Sequence, residues 1–96
     1  MNKGIHTLRI SPFAQKQLKR LPNYIALKLL AWADAVEEEG LEAVRKIRGY
    51  HDEPLQGRRW GQRSVRLSRA YRAIYKILHD GTVEFVSIEE VSKHDY

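Results

Sequence analysis

Ninety-six residues carry 17 Lys+Arg against 12 Asp+Glu, a formal charge of +5, in a chain that is 43% hydrophobic; so short a chain is expected to form one domain over residues 1–96, with no room for a second, cofactor-binding domain. The absence of cysteine excludes disulfide frameworks, thiolate metal sites, iron–sulfur clusters and cysteine nucleophiles, and suits a reducing compartment. No apolar run approaches the ~20 residues that span a bilayer, and the N-terminus lacks the basic-then-apolar order of a signal peptide, so a soluble, cytoplasmic protein without membrane contact is expected.

Ile5 to Ile10 alternates and reads as a short strand ending before Ser11-Pro12. That pair is a helix start, since Ser caps and Pro suits the first helical turn. Ala14, Leu18 and Leu21 recur at i, i+4 and i+7, with Lys16, Lys19 and Arg20 on the polar side, which predicts an amphipathic helix. Pro22 interrupts it. Asn23 is placed to cap a second helix, in which Ile25, Leu29, Trp32 and Val36 keep the spacing and Gly40 supplies the stop. Leu41, Val44 and Ile47 predict a further short helix.

From Gly49 to Gly61 the pattern fails: three glycines, one proline, His51, Asp52 and Glu53 mark a long loop, and loops of that length are more often functional than accidental. Gln62 to Ser68 alternates again, Tyr71 to Leu78 is a second strand, Asp80-Gly81 is a hairpin signal, and Val83 to Val91 is a third strand. The order is β-α-α-(α)-β-β-β. It implies an α+β fold with a small antiparallel sheet and two to three helices on one face. In the last two strands both faces carry apolar residues, so periodicity leaves open which side meets the helices.

Charge is unevenly spread. Between Arg58 and Lys76 lie seven basic residues (Arg58, Arg59, Arg63, Arg66, Arg69, Arg72 and Lys76) and no acidic one, while Asp34, Glu37, Glu38, Glu39 and Glu42 form an acidic stretch. Such a block favours a polyanionic partner, because counterion release drives phosphate binding whatever the base sequence; a solvated strand edge decorated with Arg is the plainer alternative. Gly-rich phosphate loops, zinc-finger spacings and calcium loops are absent, and the four histidines are scattered singly, so neither a metal nor a cofactor is expected.

The remaining groups move protons and hold phosphate: His51 and Glu53 in the loop, Arg66, Arg69 and Arg72 on the strands, and Lys93, His94 and Tyr96 at the chain's end. Guanidiniums clamp a phosphodiester bidentately and stabilise the charge of a pentacoordinate transition state. A neighbouring carboxylate or imidazole can take the proton of a ribose 2′-hydroxyl. Each group also has an ordinary alternative: Glu53 can pair with an arginine, Tyr71 and Tyr75 can be packing residues, and Trp60 can stack on a base or cap the core.

Asp52-Glu53-Pro54-Leu55-Gln56-Gly57, the run Gly61 to Tyr75, and the terminal Lys93-His94-Asp95-Tyr96 resemble the RelE/ParE superfamily of bacterial toxins, and within it the RelE, YoeB, YafQ and HigB messenger-RNA interferases. The resemblance implies a RelE-like fold and the toxin of a toxin–antitoxin module: an endoribonuclease, needing no metal, that enters the A site of the 70S ribosome and cuts mRNA there. It also implies a cognate, DNA-binding antitoxin that neutralises it. By the same resemblance Glu53 matches a general base, Arg72 a transition-state arginine, Arg66 a phosphate-holding arginine, and His94 and Tyr96 acid–base or stacking groups. His51 is similar in place to a loop histidine of the YafQ-like branch. Arg58, Arg59, Arg63, Arg69, Lys93 and Trp60 complete the expected RNA contacts. Asp95 separates His94 from Tyr96, and the loop offers both His51 and Glu53 as bases. ParE-like members that block DNA gyrase without cutting nucleic acid share the fold, as would a catalytically inactive RNA binder, and both stay open as alternatives.

Overall fold

A computed structural model describes residues 4–91. Strand β1 (Leu8–Ile10) leads into helices α1 (Pro12–Arg20), α2 (Asn23–Glu39) and α3 (Leu41–Arg45); β2 (Glu53–Pro54) lies inside the long loop, and β3 (Gln62–Arg66), β4 (Tyr71–Ile77) and β5 (Val83–Glu90) follow. The architecture is the expected α+β one, with two topological differences: a fifth strand, β2, forms within the segment read as a loop because Glu53 and Pro54 pair with the edge of β3, and the sheet is not purely antiparallel. The sheet is mixed: its order is β1-β5-β4-β3-β2, and β1 runs parallel to β5 while the other pairs are antiparallel.

Helix α1 starts as its sequence dictates, with the Ser11 hydroxyl accepting from the Ala14 amide at 3.1 Å and Pro12 in the first turn. Helix α2 starts one residue earlier than its capping signal suggests. Pro22 is the N-cap, Asn23 is already helical, and no side chain caps the end. Gly40 then separates α2 from α3 at φ +88, a backbone that favours glycine, and a Cβ there would lie 3.2 Å from the His6 ring. The His6 Nδ1 lies 2.8 Å from the Glu37 carbonyl in the last turn of α2.

The core lies between the helices and one sheet face. Ile25, Leu29, Trp32 and Val36 from α2 and Leu41 and Val44 from α3 meet Val65, Leu67, Ala73, Tyr75, Val83, Phe85 and Ile88. At its centre Trp32, Tyr75 and Phe85 form a three-ring cluster with centroids 5.2–5.9 Å apart in tilted and edge-on arrangements, the geometry that aromatic quadrupoles favour.

Two details of β5 decide what faces the other side. Its pairing with β4 runs Ile74↔Ser87 but Tyr75↔Phe85, so Val86 is an extra, bulged residue. Before the bulge Val83 and Phe85 point into the core; after it Ile88 does, and Glu89 is turned to the outer face beside Arg72, its register partner. Beyond Phe85 the edge that β1 no longer covers is satisfied by α1: Gln17 accepts from the Ile88 amide at 2.6 Å and donates to its carbonyl at 2.8 Å, and the Ser11 hydroxyl donates to Val86 at 3.3 Å. Buried backbone groups need partners, and here side chains of the first helix supply them. No helix among the described residues is long and apolar enough to cross a membrane.

Candidate functional site

The outer sheet face is built row by row. Register places Glu53 beside Ser64, and Arg66 beside Arg72, which lies beside Glu89. Because alternate residues of a strand share a face, Ser64, Arg66, Arg72 and Glu89 all stand on the side away from the helices. His51, Glu53, Ser64, Arg66, Arg72 and Val91 line one small cleft of about 70 Å³. Residues far apart in sequence converge there because β2 lies against β3 and because Val91 donates its amide to the Ala70 carbonyl at 2.7 Å, which ties the end of β5 to the β3–β4 turn.

Arg72 is the most constrained of these groups. It sits on β4, between two neighbours in the sheet, with its side chain 31% exposed and its Nη2 donating to Glu89 at 3.2 Å. Its Nε is buried and has no hydrogen-bond partner among the described residues. A buried guanidinium N–H without an acceptor is costly, so Arg72 carries an unsatisfied donor at the edge of the cleft. Arg66 is exposed and makes no ion pair among the described residues, and Glu53 likewise pairs with no arginine there. His51 holds a left-handed backbone at φ +46, uncommon for a residue with a Cβ.

Other expected site residues are placed differently. Arg63 lies on the helix-facing side, in phase with Val65, and its Nε donates to Asp52 at 2.6 Å. Arg59 grips both oxygens of Glu89, so this carboxylate ties two arginines together. Arg58 and Arg69 are exposed, and Trp60 is 85% exposed on the loop rather than capping the core. Arg69 lines, with Arg66, Lys28, Ile47, Tyr50 and Leu67, a neighbouring pocket of about 410 Å³. Lys93, His94 and Tyr96 lie outside the described residues. Among the described residues no group of three or more His, Asp or Glu side chains is arranged to share a metal ion.

Three neighbours of the cleft escape sequence inspection: Ser64, buried in the cleft floor; Glu89, the partner of Arg59 and Arg72; and Asp52, whose side chain is wholly buried. Asp52 accepts from Arg63 on one oxygen and from the Tyr75 hydroxyl at 2.6 Å on the other. Parity with Val65 and Leu67 was the signal available for Arg63. The shift of apolar phase from Val83 and Phe85 to Val86 and Ile88 was the signal for the bulge that turns Glu89 outward.

Electrostatics follow the same contacts. Burial, and then the hydrogen bond to Asp52, hold the Tyr75 hydroxyl well above the ordinary tyrosine range, so it stays a donor. Burial opposes the charge of Arg63, but the hydrogen bond and attraction to Asp52 outweigh it and raise its pKa. A group whose folded-state pKa is raised stabilises fully below its unfolded value and loses that contribution as pH rises. Urea midpoints of the wild type are therefore expected to fall more steeply above pH ~10 than those of Tyr75→Phe; parallel curves would remove Tyr75 from the alkaline transition.

Comparison with known proteins identifies the family and the fold. Residues 8–93 match the family described as the ParE toxin of the type II toxin–antitoxin system parDE. The fold is similar to a chain of the archaeal RelE–RelB complex from Pyrococcus horikoshii OT3 (TM-score 0.71, 22% identity, covering 93% of this chain and 98% of that one). It is also similar to YafQ from E. coli strain BL21(DE3) (TM-score 0.70, 22% identity, 88% and 92% covered), and to a chain of the RelBE2 toxin–antitoxin complex of Mycobacterium tuberculosis (TM-score 0.65, 23% identity, 90% and 98% covered). No curated protein matches by sequence. With the match running through nearly every element of the sheet and helices, the chain belongs to the ParE toxin family of type II toxin–antitoxin systems.

Proposed function

We propose that this toxin is a ribosome-dependent endoribonuclease that cleaves mRNA in the A site by attack of the ribose 2′-hydroxyl. The observation that carries the reading is the cleft itself, where a candidate base (His51 or Glu53) and two arginines (Arg66 and Arg72) stand together, and Arg72 keeps a buried N–H without an acceptor among the described residues. In this mechanism Arg66 and Arg72 hold the non-bridging phosphate oxygens and carry the charge of the pentacoordinate transition state. Glu53 or His51 takes the 2′-hydroxyl proton, the 2′-oxygen bonds to phosphorus, and the bond to the 5′-oxygen breaks as that oxygen is protonated, leaving a 2′,3′-cyclic phosphate. The RNA supplies its own nucleophile, and the chemistry calls on neither cysteine nor metal.

His94 and Tyr96 are proposed as the acid and a base-stacking group; they follow within five residues of Val91, which lines the cleft. Lys93 assists the phosphate contacts, and Arg58, Arg69 and Trp60 extend them along the message. Arg59, and Arg63 above all, contribute through the carboxylates they hold. The partners of this reading are the ribosome, the mRNA and a neutralising antitoxin, in the cytoplasm.

Primer extension on a reporter message in a reconstituted translation system tests it. Codon-phased cuts with 2′,3′-cyclic ends are expected only when ribosomes are present. The family match favours a second reading, in which the toxin blocks DNA gyrase. Absence of cuts together with inhibited supercoiling by purified gyrase would establish that reading instead, and message retention without either effect would leave an RNA binder.

A further inference from the structure

The loop that carries both candidate bases is tied by backbone bonds at its two ends, His51 donating to the Arg48 carbonyl at 3.1 Å and Leu55 to the Gln62 carbonyl at 2.9 Å. Strand β2 is two residues long and lies at the sheet edge, its register with β3 running Glu53↔Ser64 and Pro54↔Arg63. Between His51 and Glu53 stands Asp52, the one residue of the three whose side chain is fully withdrawn from solvent. It is fixed by partners 11 and 23 positions away: Arg63 Nε at 2.6 Å and Tyr75 Oη at 2.6 Å. Tyr75 is itself clamped, fully buried, in the ring cluster with Trp32 and Phe85.

Alternation does the rest. In extended chain consecutive side chains point to opposite faces, so drawing Asp52 inward sends Glu53 outward to the cleft. His51, the left-handed C-cap (φ +46) of the short turn Arg48–Tyr50, donates its amide to the Arg48 carbonyl at 3.1 Å and lines the same cleft, and the Asp52 anchor follows it directly in sequence.

We infer that Asp52, held by Arg63 and Tyr75, is a positioning residue that fixes His51 and Glu53 over the cleft, so that the rigidity of the aromatic core sets the geometry of the candidate bases. This inference rests on the nuclease reading for its kinetic consequence but not for its structural one. Asp52, Arg63 and Tyr75 lie outside the cleft lining, so an effect on the reaction has to pass through the loop.

The test uses the full chain as wild type, Tyr75→Phe and Asp52→Asn, with Ile25→Val as a core control whose stability falls without touching the loop. Tyr75→Phe removes one hydrogen bond and little volume, so it supplies a folded variant even if Asp52→Asn does not. Two quantities are read: single-turnover cleavage across a ribosome titration, and the His51 ring resonances of the free protein by NMR. In Tyr75→Phe, and further in Asp52→Asn, the rate at saturation is expected to fall toward the roughly 10²-fold that a misplacement of about 1 Å costs, with the half-saturating concentration unchanged. The His51 resonances are expected to shift and broaden, and Ile25→Val to keep both at wild-type values. Unchanged rate and unchanged His51 resonances in folded Tyr75→Phe overturn the inference, as does an equal loss in Ile25→Val. If the wild type itself cuts nothing, the nuclease reading fails, and the His51 resonances alone still decide whether Asp52 positions the loop.

Discussion

Arg72→Ala is expected to lower the rate of ribosome-dependent cleavage by about 10²–10³-fold, the loss that follows removal of one preorganised donor to a developing oxyanion, while leaving the melting transition nearly unchanged. Both halves come from its placement. The strand position is set by two neighbours in the sheet, one Nη is tethered to Glu89, and the buried Nε has no acceptor among the described residues. The fork is thus oriented before substrate arrives. Stability should change little because the Arg72 and Glu89 side chains are 31% and 24% exposed, which keeps the worth of a solvent-screened pair at ~0–1 kcal/mol, and Arg59 still holds Glu89 after the substitution. Arg72→Lys should recover only part of the activity, since an ammonium restores charge but not the planar pair of donors. Quenched-flow primer extension at saturating ribosomes reads the rate; cleavage within twofold of wild type would show that Arg72 does not hold the reacting phosphate.

Trp32→Ala is expected to be the most damaging change in the core. The residue is fully buried and contacts Tyr75 and Phe85 at centroid distances of 5.3 and 5.2 Å. Emptying such a site costs about 3–5 kcal/mol, against a total stability of ~5–14 kcal/mol for a domain of this length at roughly 0.05–0.15 kcal/mol per residue. In urea, with a slope near 1.5 kcal/mol/M, the midpoint should drop by roughly 2–3 M. Trp32→Phe should be far milder. The indole N–H is buried without a partner among the described residues, and losing an unsatisfied donor returns ~1–3 kcal/mol against the smaller cavity. A Trp32→Phe midpoint as low as that of Trp32→Ala would mean that the indole ring, not the aromatic volume, organises the cluster. Because Tyr75 packs on this ring, Trp32→Ala should also loosen the hold on Asp52.

Much of the site's composition is legible along the chain. The loop over residues 49–61 breaks both periodicities and concentrates His51 and Glu53, and the alternation of Val65 and Leu67 sends Arg66 away from the core. These inferences need only period two and the scarcity of structure in the loop. Arg63 shows what composition hides: it belongs to the same basic block as Arg66, yet three residues along a strand reverse the face, and its side chain is spent on Asp52. The charge count therefore overstates the cationic surface. Of the seven bases, Arg59, Arg63, Arg72 and Lys76 are engaged with carboxylates.

By itself the sequence determined the helices, four of the five strands, their order and the family: the i, i+4 spacing of α2, the Ser-Pro start of α1, the Asp80-Gly81 turn and the basic block are local, and local sterics and capping suffice to read them, whereas the two residues of β2 carry no local signal. Tertiary structure alone decided that β2 edges the sheet beside β3, that β1 joins β5 in parallel, and that Glu89, turned outward by the bulge at Val86, meets both Arg72 and Arg59. It also decided that Asp52, midway between two candidate bases, is the buried anchor. The reason is physical: a carboxylate can be buried only where donors meet it, and the donors of Asp52 come from two strands, 11 and 23 residues on, that approach only once the sheet has formed.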